Sequence, residues 1–161
     1  MQKKRISFDL LVFESLESLS VEDRALMITA MEARSNAYAP YSNFYVGAAV
    51  LMGNGAIVIG NNQENACYPS GLCAERVAIY QAGALYPNVP VISIAISAAS
   101  KNYSVGQPAA PCGNCRQAIS EYEIKQEGPI AILMMGEFGQ VIKCTSVGDI
   151  LPLAFSKSFL G

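Results

Sequence analysis

The sequence predicts a layered α/β domain with a mixed β-sheet. Short β-rich runs alternate with amphipathic helical segments along most of the chain, and one pair of runs carries a hairpin signal. A chain of 161 residues is long enough to bury a core without help from a metal or a disulfide. Because no internal repeat or linker-like stretch is apparent, we expect residues 1–161 to form a single domain.

The first predicted elements are a strand and an amphipathic helix. Residues 5–13 are rich in β-forming side chains and predict a strand. Ser20 followed by Asp23 resembles a capping box, with aspartate in the usual place of glutamate, and indicates the start of a helix. Apolar residues then recur at helical spacing: Leu26, Met27, Ala30 and Met31. We expect Pro40 to end this helix.

A hairpin and a second helix come next. Residues 44–52 and 56–61 look like two strands, and the Gly-Asn-Gly between them is a turn signal. Residues 72–84 then predict a helix with one apolar side.

The second half continues the alternation of strands and helices. Residues 90–98 are the clearest buried strand, and a polar loop leads from them to a helix at 112–125. Two further strands are predicted at 129–135 and 141–145. A short helix is expected at 147–150.

Composition and charge narrow the classes of function. The chain is 52% hydrophobic and 15% charged, so we expect subunit contacts to cover part of its surface. A net charge of −2, with no basic cluster beyond residues 3–5, speaks against binding to nucleic acid or to an anionic membrane. The longest apolar run, near residues 130–135, is too short to cross a bilayer.

No targeting segment is recognisable, so we expect a cytoplasmic protein. In that compartment the five cysteines are expected to be thiols or metal ligands rather than disulfides. Because the chain contains no histidine, a zinc site built from histidine or cysteine ligands would have to use cysteine alone.

Two cysteine motifs carry the candidate chemistry. Cys73 lies two residues before Glu75, and Cys112 and Cys115 follow Pro111. Each motif falls at a predicted helix start, where free N–H groups and a partial positive charge stabilise a thiolate. Residues three apart share a helical face, so Cys112 and Cys115 can bind one metal ion. Two helices side by side on a sheet would bring Cys73 to the same ion.

Three sulfur ligands leave the fourth tetrahedral position of Zn²⁺ for water, which is typical of catalytic rather than structural zinc. Zinc lowers the pKa of such a water from about 15.7 towards 7. Glu75 is then placed to take a proton and pass it to a substrate nitrogen. Because three thiolates make the cluster negative, we expect Arg76 or Arg116 to donate hydrogen bonds to sulfur.

Five sequence blocks extend this pattern. They are AYAPYSNFYVGAAV at 37–50, GNNQENACY at 60–68, CAERVAI at 73–79, PCGNCRQ at 111–117 and LPLAF at 151–155. In their order and spacing, the chain resembles the small homotetrameric cytidine deaminases from about residue 20 to residue 155. Zinc deaminases of nucleobases share one histidine or cysteine ligand, a non-ligand glutamate and a Pro-Cys-x-x-Cys pair. A lone Cys-x-x-Cys is a weak signal, whereas five blocks are specific.

The resemblance implies a three-layer α/β/α fold and a reaction. That reaction is hydrolytic deamination of cytidine and deoxycytidine to uridine and deoxyuridine in pyrimidine salvage, with release of ammonia. The three cysteines would bind one Zn²⁺ per subunit, and Glu75 would be the proton shuttle. Arg76 matches the arginine that hydrogen-bonds ligand thiolates in the family, and Gln117 is expected to support the site.

The resemblance also implies a nucleoside site. The backbone of Ala74 would hydrogen-bond the pyrimidine, and Phe44 would stack on the base. Asn62 and Glu64 would hold the ribose 3′-hydroxyl, and an amide with a carboxylate suits a group that both donates and accepts.

In the family, neighbouring subunits of a homotetramer complete each site. Tyr68 and Phe155 are therefore expected to act across an interface. A free nucleoside carries no phosphate, which agrees with the lack of a basic cleft.

The chain departs from the family pattern in several places. Residues 1–19 have no counterpart and form an N-terminal extension. Ala110 stands where serine or threonine is usual, and Cys67 where a small residue such as alanine is common. Residues 69–71 are also unusual and can shift the loop that leads to Cys73.

Other functions stay open. A deaminase of the same fold could act on another aminopyrimidine nucleoside, such as an antibiotic. A structural zinc module would use Cys67 as a fourth ligand, and a thiol redox protein would use Cys112 and Cys115 without metal. Neither of the last two explains Glu75. Cys67 and Cys144 can each also be simple buried apolar residues.

Overall fold

The computed structural model describes residues 1–160, and its elements follow the predicted order. The strands are β1 (Leu11–Phe13), β2 (Phe44–Met52), β3 (Ile57–Asn61), β4 (Val91–Ser100), β5 (Ala131–Met135) and β6 (Val141–Cys144). The α-helices are α1 (Val21–Ala33), α2 (Ala74–Leu85), α3 (Gly113–Gln126) and α4 (Val147–Ile150).

The six strands form one mixed sheet in the order β1-β6-β5-β4-β2-β3. β4 and β5 are parallel and are joined by α3, the crossover that a parallel pair requires. All other neighbours in the sheet are antiparallel, and β2 with β3 forms the predicted hairpin. The prediction of a mixed sheet is confirmed.

Helices cover both faces of this sheet. On one face, α1 buries Leu26, Met27 and Ala30. On the other face, α2 and α3 pack beside each other, with α4 beside α3. β4 alternates between the two layers, since Ile94 lies in the α2–α3 core and Ala95 in the α1 core. The fold is therefore α/β/α, and no helix within residues 1–160 combines the length and apolar character needed to span a membrane.

Strand β1 is much shorter than the strand predicted at 5–13. Leu11 pairs with Lys143 near the end of β6, and the chain beyond Cys144 soon enters α4. In this register residue 10 faces Cys144, the last residue of β6, and the residues before it have no strand opposite them. The segment before Leu11 is rich in β-forming side chains, but β6 ends at Cys144 and cannot extend the pairing along it.

The start of α1 is as expected, although its cap differs in detail. Ser20 Oγ accepts a hydrogen bond from Asp23 N at 3.2 Å. The Asp23 carboxylate does not return the bond of a capping box, because it pairs with Lys143 Nζ at 2.6 Å. A tertiary ion pair has replaced a local cap.

The end of α1 comes well before Pro40. The helix stops at Ala33 and continues as a short 3₁₀ turn, Arg34–Asn36. Arg34 Nη1 donates to Ser97 Oγ on β4 at 2.8 Å, so a contact with the sheet holds this turn. The other predicted helices and strands agree with the structure to within two residues at each end.

The topology brings the starts of α2 and α3 to the same edge of the sheet. Both β3 and β4 are antiparallel to β2, so these two strands point in the same direction. The helix that follows each strand therefore begins near the same edge. This is the edge at which the two cysteine motifs meet.

Close packing fixes the first turn of α2 on β3. A Cβ atom on Gly60 would lie 2.5 Å from both Ala74 O and Ala78 N, so only glycine fits at this strand position. The loop between β3 and α2 is closed by paired backbone bonds between Gln63 and Leu72, at 2.9 and 3.0 Å. Cys73 directly follows Leu72, so it lies between this paired loop and the first turn of α2, and both restrict its position.

Candidate metal centre

Three thiols from two helix starts form one cluster. Cys73 is the N-cap residue of α2, Cys112 is the N-cap residue of α3, and Cys115 lies in the first turn of α3. Their Sγ atoms all lie within 4.8 Å of one another, and Cys112 Sγ is 3.3 Å from Cys115 Sγ. Neither N-cap sulfur accepts a hydrogen bond from a backbone N–H of its own helix, so both sulfur atoms are available to a ligand.

This donor set fits a zinc ion. Tetrahedral Zn–S bonds of about 2.3 Å place ligand sulfurs about 3.8 Å apart, a separation this cluster accommodates. Sulfur ligands favour zinc over the hard cations calcium and magnesium. Cys73, Cys112 and Cys115 would hold the ion, and three protein ligands are the number found in catalytic zinc sites.

The thiols also influence each other's ionisation. A hydrogen bond from Cys115, followed in strength by one from Arg76, lowers the pKa of Cys73 to about 5. The same contact with Cys73, together with burial, raises the pKa of Cys115. Without a cation the pair favours a single negative charge. A divalent ion is the group that allows all three thiols to ionise together.

Arg76 lies against this cluster. Its Nη2 is 4.0 Å from Cys73 Sγ, a contact that suits a guanidinium beside a thiolate. Its buried Nε is the one buried side-chain nitrogen or oxygen within residues 1–160 that has no hydrogen-bond partner. A buried donor without a partner is costly, and a fully ionised sulfur cluster would reduce that cost.

Glu75 is buried beside the ligands, in the first turn of α2. Its side chain is only 5% exposed. Burial, with a smaller contribution from the Cys73 thiolate, raises its pKa to about 7. A carboxyl group with this pKa can both accept and release a proton near neutral pH. Ala74, between Cys73 and Glu75, is fully buried, and its N–H belongs to the first turn, where N–H groups have no helical acceptor.

The side-chain amide of Asn62 bonds to the start of β2. Asn62 Oδ1 accepts from Val46 N at 2.8 Å, and its Nδ2 donates to Phe44 O at 2.9 Å. The amide therefore supports the start of β2 and keeps one donor hydrogen for another partner. The half-buried ring of Phe44 lies at this strand end.

Glu64 is held by the turn before β2. Its carboxylate accepts from Ser42 Oγ at 2.5 Å and from Tyr41 N at 2.9 Å. The Ser42 hydroxyl is the main reason that the pKa of Glu64 lies below its ordinary value. Glu64 is thus an ionised acceptor in a defined position, and Ser42 is a supporting residue that the sequence motif did not reveal.

The two aromatic residues expected at an interface are exposed in the single chain. Tyr68 is 90% exposed in a surface turn after β3. Phe155 is 57% exposed and stacks on Phe159, with ring centroids 5.5 Å apart. Gln117 Nε2 donates to Phe155 O at 2.9 Å, so this glutamine contacts the C-terminal segment.

Arg116 contacts carbonyl groups rather than sulfur. Its Nε donates to Pro111 O and its Nη1 to Ile150 O, both at 2.8 Å. The expectation that an arginine lies against sulfur is therefore met by Arg76 alone of the two candidates. Nothing in the sequence motif indicates that Arg116 reaches as far as Ile150.

The remaining cysteines lie outside the cluster. Cys144 is fully buried on β6, as an apolar residue would be. Cys67 is exposed, and its N–H donates to Asn65 Oδ1 at 2.8 Å in a surface turn. The interpretation of Cys67 as a buried residue is wrong, because that turn carries it away from the core. Cys67 is not part of the metal-ligating group found within residues 1–160, which does not support a four-cysteine site.

Comparisons with known proteins agree on one family. Residues 20–127 match the cytidine and deoxycytidylate deaminase zinc-binding region. A cytidine deaminase of Halalkalibacterium halodurans is 37% identical over 135 residues, which cover 83% of this chain and 95% of that protein. A cytidine deaminase of Mycobacterium tuberculosis is 35% identical over 126 residues, covering 78% of this chain and 84% of that protein.

Solved structures show the same likeness. The cytidine deaminase of Burkholderia pseudomallei superposes with a TM-score of 0.71 at 38% identity, over 85% of this chain and all of that one. The enzyme of Mycobacterium tuberculosis gives a TM-score of 0.65 at 28% identity, over 85% of this chain and 99% of that one. The match to the family's zinc-binding region begins at residue 20, the N-cap of α1, so β1 lies outside that region. The chain belongs to the cytidine and deoxycytidylate deaminase family of zinc-binding proteins.

Proposed function

We propose that the protein is a zinc-dependent cytidine deaminase. It hydrolyses cytidine and deoxycytidine to uridine and deoxyuridine and releases ammonia, a reaction of pyrimidine salvage. The observation that carries this proposal is the cluster of three thiols with the buried carboxyl group of Glu75 beside it. The relatives named cytidine deaminase support the choice of substrate.

Cys73, Cys112 and Cys115 hold the zinc ion in this proposal. When bound, zinc supplies a Lewis acid that makes a water molecule nucleophilic near neutral pH. Arg76 offsets part of the negative charge of the thiolates through its contact with Cys73. Its role is to keep all three ligands ionised.

Glu75 moves the protons in this proposal. Its carboxylate accepts a proton from the attacking water and delivers it to a ring nitrogen of the pyrimidine. The water oxygen bonds the ring carbon and keeps one proton, which Glu75 then passes to the amino group. The carbon–nitrogen bond breaks as the carbon–oxygen double bond forms, ammonia leaves, and Glu75 returns to its carboxylate form. Burial of the Glu75 side chain raises its pKa, which brings the protonated form that the transfers require closer to neutral pH.

The nucleoside contacts are taken from the family resemblance. The backbone of Ala74 bonds the pyrimidine, Phe44 stacks on the base, and Asn62 with Glu64 binds the ribose 3′-hydroxyl. In support, Glu64 is ionised and fixed by Ser42. Asn62 keeps a free amide hydrogen for the sugar after bonding to β2.

The functional unit in this proposal is a cytoplasmic homotetramer in which neighbouring subunits complete each site. Tyr68 and Phe155 contribute across the interface. Their exposure in the single chain supports this role, since burying large aromatic side chains in an interface stabilises the assembly. The hydrophobic content of 52% is also high for a chain that acts alone.

A direct assay tests the proposed function. Purified protein loaded with zinc is mixed with cytidine, and the loss of cytidine absorbance is followed with and without a zinc chelator. We expect turnover that the chelator abolishes and added zinc restores. An aminopyrimidine nucleoside antibiotic is assayed in parallel. Zinc-loaded protein that converts the antibiotic and leaves cytidine unchanged would reject cytidine as the substrate.

A further inference from the structure

Arg116 joins two distant parts of the chain next to the metal centre. Its Nε donates to Pro111 O and its Nη1 donates to Ile150 O, both at 2.8 Å. Pro111 is buried and directly precedes Cys112, while Ile150 is the last residue of α4. One half-buried guanidinium therefore links the loop that enters the metal site to the segment that leaves α4.

The chemistry of arginine suits this link. Its guanidinium is planar and permanently charged, and it presents its donors in a fixed fork. Hydrogen bonds from a charged donor are stronger than those between neutral groups. Two carbonyl oxygens bound to one rigid fork are held in a fixed relation to each other. Neither oxygen belongs to a ligand, so the link does not act on sulfur directly.

The segment after α4 is held at a second point. Gln117 Nε2 donates to Phe155 O at 2.9 Å, so neighbouring residues of α3 bond the segment on either side of Leu153. Leu153 has a φ of 61°, in the left-handed region that a residue other than glycine adopts at a cost. Its side chain is 90% exposed, so packing within the chain does not explain this conformation. The bonds to Ile150 and Phe155 are the contacts that bracket it.

We propose that Arg116 is a positioning residue that fixes the segment from Ile150 to Phe155 against the metal-bearing end of α3. It thereby sets the place of the Phe155 ring. This inference rests on the proposed function, in which Phe155 contacts the nucleoside. Loss of Arg116 should weaken nucleoside binding and leave the zinc ligands in place, because Cys112 is still held by the helical bond from Arg116 N to Cys112 O at 2.9 Å.

The test compares Arg116→Met with a matched control, Lys125→Met. Lys125 lies on the same helix and its Nζ also donates to a backbone carbonyl, Pro87 O at 3.0 Å, but at the opposite end of α3. For Arg116→Met we expect the KM for cytidine to rise about tenfold, equivalent to about 1.4 kcal/mol. We expect kcat and zinc content to stay within about twofold of the wild type, and Lys125→Met to leave all three values unchanged.

Arg116→Lys keeps the charge and removes the fork. We expect it to show the same rise in KM, because one ammonium cannot replace the two-carbonyl link. If Arg116→Met does not fold, Arg116→Lys alone tests the inference. A normal KM in Arg116→Lys, or a loss of zinc and kcat in step with KM, would overturn the positioning role.

Hydrogen exchange separates this inference from the proposed function. In both Arg116 variants, peptides covering residues 147–156 should exchange faster than in the wild type and in Lys125→Met. This measurement needs no substrate. If the wild type fails to convert cytidine, the proposed function is wrong and the exchange result still decides whether Arg116 anchors the segment. Unchanged exchange would show that it does not.

Discussion

At the scale of single residues, charge and burial explain the candidate centre. Without a cation, Cys73 and Cys115 favour a single negative charge between them, because their contact lowers the pKa of Cys73 and raises that of Cys115. Arg76 contributes part of the compensation for that charge. Glu75 shows the opposite effect, because burial disfavours its charged form and moves its pKa towards neutrality. The surroundings of Glu75 and Arg76, which are neighbours in α2, therefore suit different chemical roles.

Glu75→Gln tests the proton shuttle. The amide has the same shape and cannot exchange protons near neutral pH, so turnover of cytidine should fall by at least about 10²-fold. Zinc content and the unfolding midpoint should be unchanged, because no sulfur is touched. Glu121→Gln, on the exposed side of α3, is the control and should keep normal turnover. Near-normal turnover in Glu75→Gln would remove this residue from the mechanism.

Arg76→Gln tests the compensation of thiolate charge. The neutral side chain should weaken zinc binding by about 10- to 100-fold, the usual effect of losing a group that supports metal ligands. Competition with a chromophoric chelator measures the affinity. Arg24→Gln, at an exposed residue of α1, provides the comparison and should bind zinc normally. Equal zinc affinity in the two variants would contradict the role of Arg76.

At the scale of helices and strands, the site depends on how closely α2 approaches β3. The strand directions place the starts of α2 and α3 at one edge, but Cys73 reaches the other two sulfurs only if α2 lies directly on the sheet. Gly60 permits this approach because it has no Cβ. The loop pairing between Gln63 and Leu72 then leads the chain into Cys73.

Gly60→Ala tests this packing. The added methyl group would meet Ala74 O and Ala78 N at 2.5 Å, so α2 must shift. We expect a loss of about 1–3 kcal/mol in the free energy of unfolding and weaker zinc binding, since Cys73 moves with the helix. Urea unfolding and a zinc competition assay measure the two effects.

Gly113→Ala is the matched control for that substitution. Gly113 begins α3 beside the ligand Cys112, and a Cβ there would meet nothing within 4 Å. Its replacement should be neutral or stabilise the fold by up to about 1 kcal/mol. If Gly60→Ala were as well tolerated as Gly113→Ala, close approach of α2 to β3 would not be what positions Cys73.

At the scale of the whole molecule, exposed aromatic side chains support the proposed association between subunits. Tyr68, Phe155 and Phe159 are all more than half exposed in the single chain. The C-terminal segment, held by Arg116 and Gln117, presents two of them together as a stacked pair. A rigid aromatic pair has little side-chain entropy to lose when a partner covers it.

The proposed tetramer has a measurable mass. Light scattering on the zinc-loaded protein should give about four times the 17.2 kDa of one chain, at concentrations where the enzyme is active. Phe155→Ala should raise the KM for cytidine if the ring enters a neighbouring site. Leu160→Ala, at an exposed residue of the same segment, should have little effect on KM. A fully active monomer would contradict sites shared between subunits.

The sequence by itself determined the mixed α/β fold, the family and the three cysteines of the candidate zinc site. Alternating apolar patterns and helix starts are local properties, and the Cys-x-Glu and Pro-Cys-x-x-Cys motifs each lie within one helical turn. The tertiary structure alone decided the length of β1, the ion pair of Asp23 with Lys143, and the exposure of Cys67. It also decided that Arg116 bonds Ile150, 34 residues away in the chain. These features depend on which residues meet across the fold, because side-chain partners and strand ends are set by packing between distant segments.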